Sequence, residues 1–419
     1  MRTPTILTAV VLTLAAAATP ATAAPVSPSQ VRFPQVAVNA NGTTAVAWER
    51  LTRGRFAVEA RLGRAPLKLG RTRKLARQGF NPQVAVGADG TAAVMWLEQG
   101  SRGMRSVRVA VARPRHGFGT GQLVERRRAN MGQVGVAVQP SGRVVAVWRR
   151  SSSELAFALA PRNRAFRKAR ALTAIGPITS GSMALDPRDG VVVVAYGTPL
   201  SLSPLANQQA GVRTLAPAAS AFSGQTVLTA TGIAGEASPV AVAGPGGAAV
   251  ASTISGDRPS LSLARRAADG SWSAPELVAD TNYGEGRFAR GLKVALPADG
   301  SAVAAWANTT ENFAGLGGMI GSQVVASFAP RGGRFGAPRT ITPEGVLHGV
   351  PSVAAAGNEA FVASAVTHGP VLLAGVSEQS IGVVPLTGNG DGDVLLAAGG
   401  SHVVAIYQRD DRLRLKIVR

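Results

Sequence analysis

The chain has 419 residues, with 44 Lys and Arg against 23 Asp and Glu and a formal net charge of +21. It contains no Cys, which excludes disulfides, a lipid-anchored Cys and cysteine nucleophiles. With 46% apolar residues it is long enough to bury a sizeable core without covalent staples.

The first element is a leader. Met1-Arg2 is followed by an apolar run over residues 6–18 and then by "TPATAAP". A short charged start, a short apolar stretch and a small-residue site make a secretory signal peptide. Residues 1–23 are expected to be cleaved after Ala23, leaving residues 24–419 as one domain. The run is shorter than the roughly 20 residues that a membrane-spanning helix takes, and no later segment is long and apolar enough. The expected mature protein is a soluble monomer, secreted or associated with the cell envelope.

A phrase then recurs along the chain: "FPQVAVNANGTTAVAW" ending at Trp48, "NPQVAVGADGTAAVMW" at Trp96, "QVGVAVQPSGRVVAVW" at Trp148 and "GLKVALPADGSAVAAW" at Trp306. Each copy is a short β-branched run, a Gly/Asp/Asn turn and a second run, the pattern of a tight hairpin. In the second copy "SVRVAVARP" alternates polar and apolar as a half-buried third strand, and "QLVERR" supplies a fourth. Units begin near Pro34, Pro82, Gly132, Gly181, Pro239, Gly291, Pro351 and Asp393. Four-stranded units at a period of roughly 40–60 residues predict an all-β chain, a β-propeller of antiparallel blades. Eight blades are expected. Seven is the alternative, because residues 181–238 and the last unit are degenerate.

The last unit carries only three strands. Residues 24–30 are expected to supply the fourth by pairing with Leu413–Val418, which would leave no open edge. The recurrent Trp reads as packing between blades, and Tyr196 and Tyr407 keep a large ring at the same place. Ser252 and Ser364 mark the degenerate blades.

The turn between third and fourth strands also repeats, as "RHGFGTG" at 115–121, "NRAFRKA" at 163–169, "ASAFSGQ" at 219–225, "DGSWSAP" at 269–275 and "GGRFGAP" at 332–338. These turns resemble the place of the Asp-box, or BNR, motif in sialidase-like propellers, whose pattern is Ser-x-Asp-x-Gly-x-Thr-Trp. Asp269-Gly270-Ser271-Trp272 comes nearest, one residue short in spacing. The resemblance implies a divergent, exported bacterial propeller and bears on fold more than on activity.

Sialidases bind a carboxylate through three arginines and react through Tyr, Glu and Asp. Here the site-like loop is "DTNYGEGRFAR", where Tyr283 and Glu285 are the candidates for nucleophile and base, with Asp280 and Arg287 nearby. The competing reading is a solvated loop. "GNGDGD" places Asn389, Asp391 and Asp393 at alternate positions, as in the first half of a calcium loop, and is similar to the "NGDG" of FG-GAP repeats. Val394 and Gly400 then depart from that pattern, so a plain turn is expected and no cofactor. His116, His348, His368 and His402 show no metal-ligand spacing.

The charge is unevenly placed. Residues 24–180 hold 27 Lys and Arg against 6 Asp and Glu, whereas residues 181–419 hold 16 against 17. The excess therefore falls in three consecutive blades and suggests an anionic partner. The loops after second strands and after fourth strands give Arg50, Arg53, Arg55, Arg102, Arg105, Arg126, Arg127, Arg128, Arg149 and Arg150 as candidate ligand-binding residues. Expected partners are acidic polysaccharide, a wall polymer or lipid headgroups. Nucleic acid has no support, since few aromatics interleave with the basic runs. The function expected is a non-catalytic binding or scaffold module at the cell envelope. The alternative is a glycoside hydrolase or polysaccharide lyase at the channel mouth, which would gather two carboxylates and an Arg there.

Overall fold

The computed structural model describes residues 24–25, 30–52, 54–64, 68–172, 177–199, 208–230, 237–254, 260–280, 287–312, 318–343, 349–366, 369–387, 394–409 and 412–418. They form eight antiparallel sheets. Blade 1 runs Val31–Val38, Thr43–Thr52, Arg55–Arg64 and a split fourth strand, Lys68–Leu69 and Arg73–Ala76. Blade 2 runs Phe80–Val86, Ala92–Gln99, Arg105–Ala112 and Gln122–Arg127. Blade 3 runs Gly132–Val138, Val144–Arg149, Leu155–Ala160 and Arg170–Ala171. Blades 4 to 7 open with Ser180–Leu185, Ala237–Gly244, Arg287–Ala295 and Ser352–Ala356, and blade 8 with Val394–Gly399.

The turn between first and second strands explains the regularity. Gly42, Gly90, Gly142 and Gly300 sit there at φ of 74°, 84°, 78° and 85°, a region that L side chains reach only with strain. The Asp before two of them locks the loop: Asp89 Oδ1 accepts from the Thr91 amide and Asp299 Oδ1 from the Ser301 amide, each at 2.9 Å.

The sheets close into a ring. First strands of neighbouring blades lie side by side, and that of blade 8 lies beside that of blade 1. Eight apolar clusters fill the eight seams between blades. Trp48 packs towards blade 8, Trp96 towards blade 1, Trp148 towards blade 2 and Trp306 towards blade 5, all with 0% exposure. Burial on this scale assigns these four indoles to packing between blades and not to a sugar platform.

Closure follows the expected three-plus-one scheme. Ala24 pairs with Leu415 and Pro25 with Arg414, antiparallel, completing blade 8. The seven-blade alternative is overturned, because the fourth unit forms a full sheet ending at Thr226–Ala230 and the last is completed from the N-terminal side.

Strand alternation sorts the loops. Those after second and fourth strands open on one face, here the upper; those after first and third strands open on the lower. First strands of blades 1, 2 and 6 bulge near the upper mouth, where Phe33, Asn81 and Gly291 take φ of 46°, 52° and 65°.

Candidate functional site

In blades 1 to 3 the six acids are all engaged within the protein. Glu59 accepts from Trp48 Nε1 at 3.2 Å and pairs with Arg50 at 3.5 Å. Glu98 holds Trp96 Nε1 at 3.1 Å and Arg108 Nε at 2.5 Å. Glu125 accepts from Trp148 Nε1 at 2.7 Å and pairs with Arg150 at 3.0 Å and Arg127 at 3.3 Å. Glu154 pairs with Arg150 at 2.5 Å. Asp89 caps its own turn and meets Arg162 at 3.7 Å. Glu49 accepts the Asn81 amide. Among the described residues the sector's other arginines have no carboxylate ion-pair partner.

The ten upper-face candidates divide by environment. Arg55, Arg102, Arg126, Arg127 and Arg128 are exposed, and Arg149 is half-buried. Arg105 donates to the Met131 carbonyl at 2.9 Å and lies over the Phe80 ring at 5.7 Å, so it braces the seam between blades 2 and 3. Arg150 is 7% exposed and held by two carboxylates. Burial alone would lower its pKa, but Glu125 and Glu154 hold it above the usual range. This geometry removes Arg150 from the solvent-facing set. Arg53 lies outside the described residues.

The Glu49 carboxyl has its pKa shifted upward. It is 2% exposed at the upper end of blade 1, facing blade 2. Burial raises its pKa, opposed by the Asn81 amide and by Arg32. Glu59 stands on the other face of the same sheet, paired in register with Trp48. The two carboxyls therefore do not converge on one reacting centre.

The lower face carries what the sequence reading passed over. Between blades 1 and 2 lies a cleft of about 860 Å³, with Arg64, Arg71, Arg73, Arg115 and His116 on its walls and Phe118 in its lining. A smaller cleft of about 340 Å³ repeats the arrangement between blades 2 and 3, with Arg113, Arg162 and Arg164. The signal was present in the repeated turn after the third strand, where Arg115, Arg162 and Arg164 stand close to its recurrent Phe. Which blades those turns would bring together was not readable from one copy.

Tyr283, Glu285, Asn389, Asp391 and Asp393 lie outside the described residues, as do His348 and His368. The nearest Asp-box relative is an ordinary turn: Asp269 Oδ1 accepts from the Ser271 amide at 2.9 Å and from its hydroxyl at 2.7 Å, and Arg266 forms a single bridge to Trp272.

No protein-family model matches the chain, and no curated protein matches it in sequence. Solved structures share the ring. The polysaccharide lyase Uly1 is 8% identical with a TM-score of 0.54, covering 78% of this chain and 88% of its own. A PL25 ulvan lyase bound to -[GlcA(1-4)Rha3S]- is 10% identical with a TM-score of 0.51, covering 94% and 95%. The BP39L lectin from Burkholderia pseudomallei is 15% identical with a TM-score of 0.51, covering 80% and 94%. The chain spans only 55% and 54% of two longer peptidase chains that it also matches. At these identities the likeness is one of fold, an eight-bladed β-propeller with neighbours among glycan-active propellers.

Proposed function

We propose that this protein is an exported, non-catalytic propeller that binds an acidic polysaccharide through the basic sector of blades 1 to 3. The observation that carries the reading is the commitment of all six acids of that sector to internal partners, while Arg55, Arg102, Arg126, Arg127 and Arg128 stay exposed on one face. Their fields add over distances near the Debye length, about 10 Å at 0.1 M salt. Planar guanidinium groups suit carboxylate and sulfate oxygens, which accept two parallel hydrogen bonds. The fold likeness to a lectin and to a lyase bound to a glucuronate-containing repeat supports a glycan over other polyanions. A cleaving enzyme would need convergent carboxyls and an Arg at one mouth, and around blade 1 the two buried carboxyls diverge.

The test is retention on immobilised polygalacturonate across a salt series. Retention should fall steeply as salt rises, and changing Arg126, Arg127 and Arg128 together to Glu should shift elution to markedly lower salt. Salt-independent retention, or equal retention by the charge-reversed variant, would remove the reading. Complete displacement by duplex DNA or by phosphatidylglycerol vesicles at matched charge would transfer it to those partners.

A further inference from the structure

We infer that the lower-face cleft between blades 1 and 2 is a binding site for one acidic sugar residue, its carboxylate or sulfate ester held by Arg71, Arg73 and Arg115. The inference rests on the polysaccharide reading and adds a second, defined site on the opposite face. At about 860 Å³ the cleft is within the range of small-ligand sites. Among the described residues the side chains of these three arginines have no hydrogen-bond or ion-pair partner, and all three are exposed. The one carboxylate in the lining, Asp89, already serves Thr91 and Arg162. The cleft is thus an uncompensated cationic recess, with Pro114 on its apolar side.

Backbone strain at the rim is an independent observation. The turn after the third strand places His116 N on the Arg113 carbonyl in blade 2, Arg164 N on Pro161 in blade 3 and Gly333 N on Pro330 in blade 6. The residue before each donor is left-handed: Arg115 at φ 65°, Asn163 at 62° and Gly332 at 68°. Gly and Asn suit that region and Arg does not. Strain retained at one position of a repeated turn points to a use there. In blade 2 it fixes a cationic side chain at the cleft. The smaller cleft one blade further, with Arg113, Arg162 and Arg164, lies along the same rim and would receive the next acidic residue of a chain.

The experiment is calorimetric titration of the full chain with trigalacturonate, alongside polygalacturonate retention. Arg71→Ala with Arg73→Ala should weaken trigalacturonate binding by about tenfold or more, as loss of charge-assisted hydrogen bonds implies. Arg115→Gly should weaken it severalfold while the melting temperature holds or rises, a combination that a purely structural Arg115 would not give. Arg334→Ala, in the equivalent turn of blade 6, should stay within twofold of the wild type. If the cleft variants bind trigalacturonate like the wild type while the wild type is retained on polymer, the cleft assignment falls and the polysaccharide reading stands. If neither ligand binds, both fall. Displacement of trigalacturonate by inorganic sulfate at equal concentration would also overturn the sugar site, reducing it to a simple anion site.

Discussion

Glu125, on the outer strand of blade 2, accepts a 2.7 Å hydrogen bond from Trp148 Nε1 of blade 3. The same carboxylate holds Arg150, whose side chain is 8% exposed. One acid thus satisfies an indole and a buried guanidinium across a seam, which is why the Trp at this repeat position can be fully enclosed. Glu125→Ala leaves the indole unbonded and Arg150 with Glu154 alone. The expected loss is about 3 kcal/mol, typical of breaking a buried pair by removing one partner. Glu125→Gln should lose less, since its amide oxygen still serves the indole. Denaturant midpoints of the two variants check this; equal losses would show that the Trp148 bond contributes nothing.

The pairing of Ala24 with Leu415 closes the ring. Leu413 and Leu415 are 0% and 1% exposed on that strand, and without the N-terminal segment its outer edge would be unpaired. A chain beginning at Gln30 should therefore melt at lower temperature and aggregate more readily through the open edge. An unchanged melting temperature would count against closure as a source of stability.

Ser364 occupies the repeat position that Trp306 holds one blade earlier. It is 0% exposed, and among the described residues its hydroxyl has no hydrogen-bond partner. Removing an unsatisfied buried hydroxyl relieves its desolvation cost, so Ser364→Ala should raise stability by about 1 kcal/mol. A lower denaturant midpoint would mean that the hydroxyl bonds a partner such as an ordered water.

The ring was legible because its determinants are local and repeated. Gly90 and its counterparts mark the hairpins, and Trp96 and its counterparts mark the seams. The final three-strand unit pointed to closure through residues 24–30. The functional surface was legible only as charge. Arg150 read as one more solvent-facing Arg beside Arg149, yet strand alternation turns it inward between two carboxylates. The lower cleft escaped because Arg71 and Arg115 belong to different blades more than forty positions apart in the chain, and only the ring brings their turns together. The strain at Arg115 is likewise a property of φ, and the residue names alone do not carry it.

Glu49 gives the fold a pH dependence with a definite sign. Its pKa lies above the ordinary 4.5 because burial disfavours the charged form more than the Asn81 amide and Arg32 favour it. The folded chain therefore holds this proton more tightly than the unfolded chain does. Well below 4.5 both states are protonated and the group adds no pH dependence. As pH rises from 4.5 through the raised value, the unfolded chain releases its proton first and stability falls; above it the loss is complete. Gln at this position keeps an oxygen for the Asn81 amide but cannot ionise. Glu49→Gln should therefore gain stability relative to the wild type between pH 4 and pH 7, and the gap at pH 7 should exceed that at pH 4. Denaturant midpoints of both proteins at the two pH values check the sign. A gap that is constant with pH, or one that narrows as pH rises, would mean that the carboxylate is better satisfied than its burial implies, and that Arg32 outweighs the cost of enclosing it.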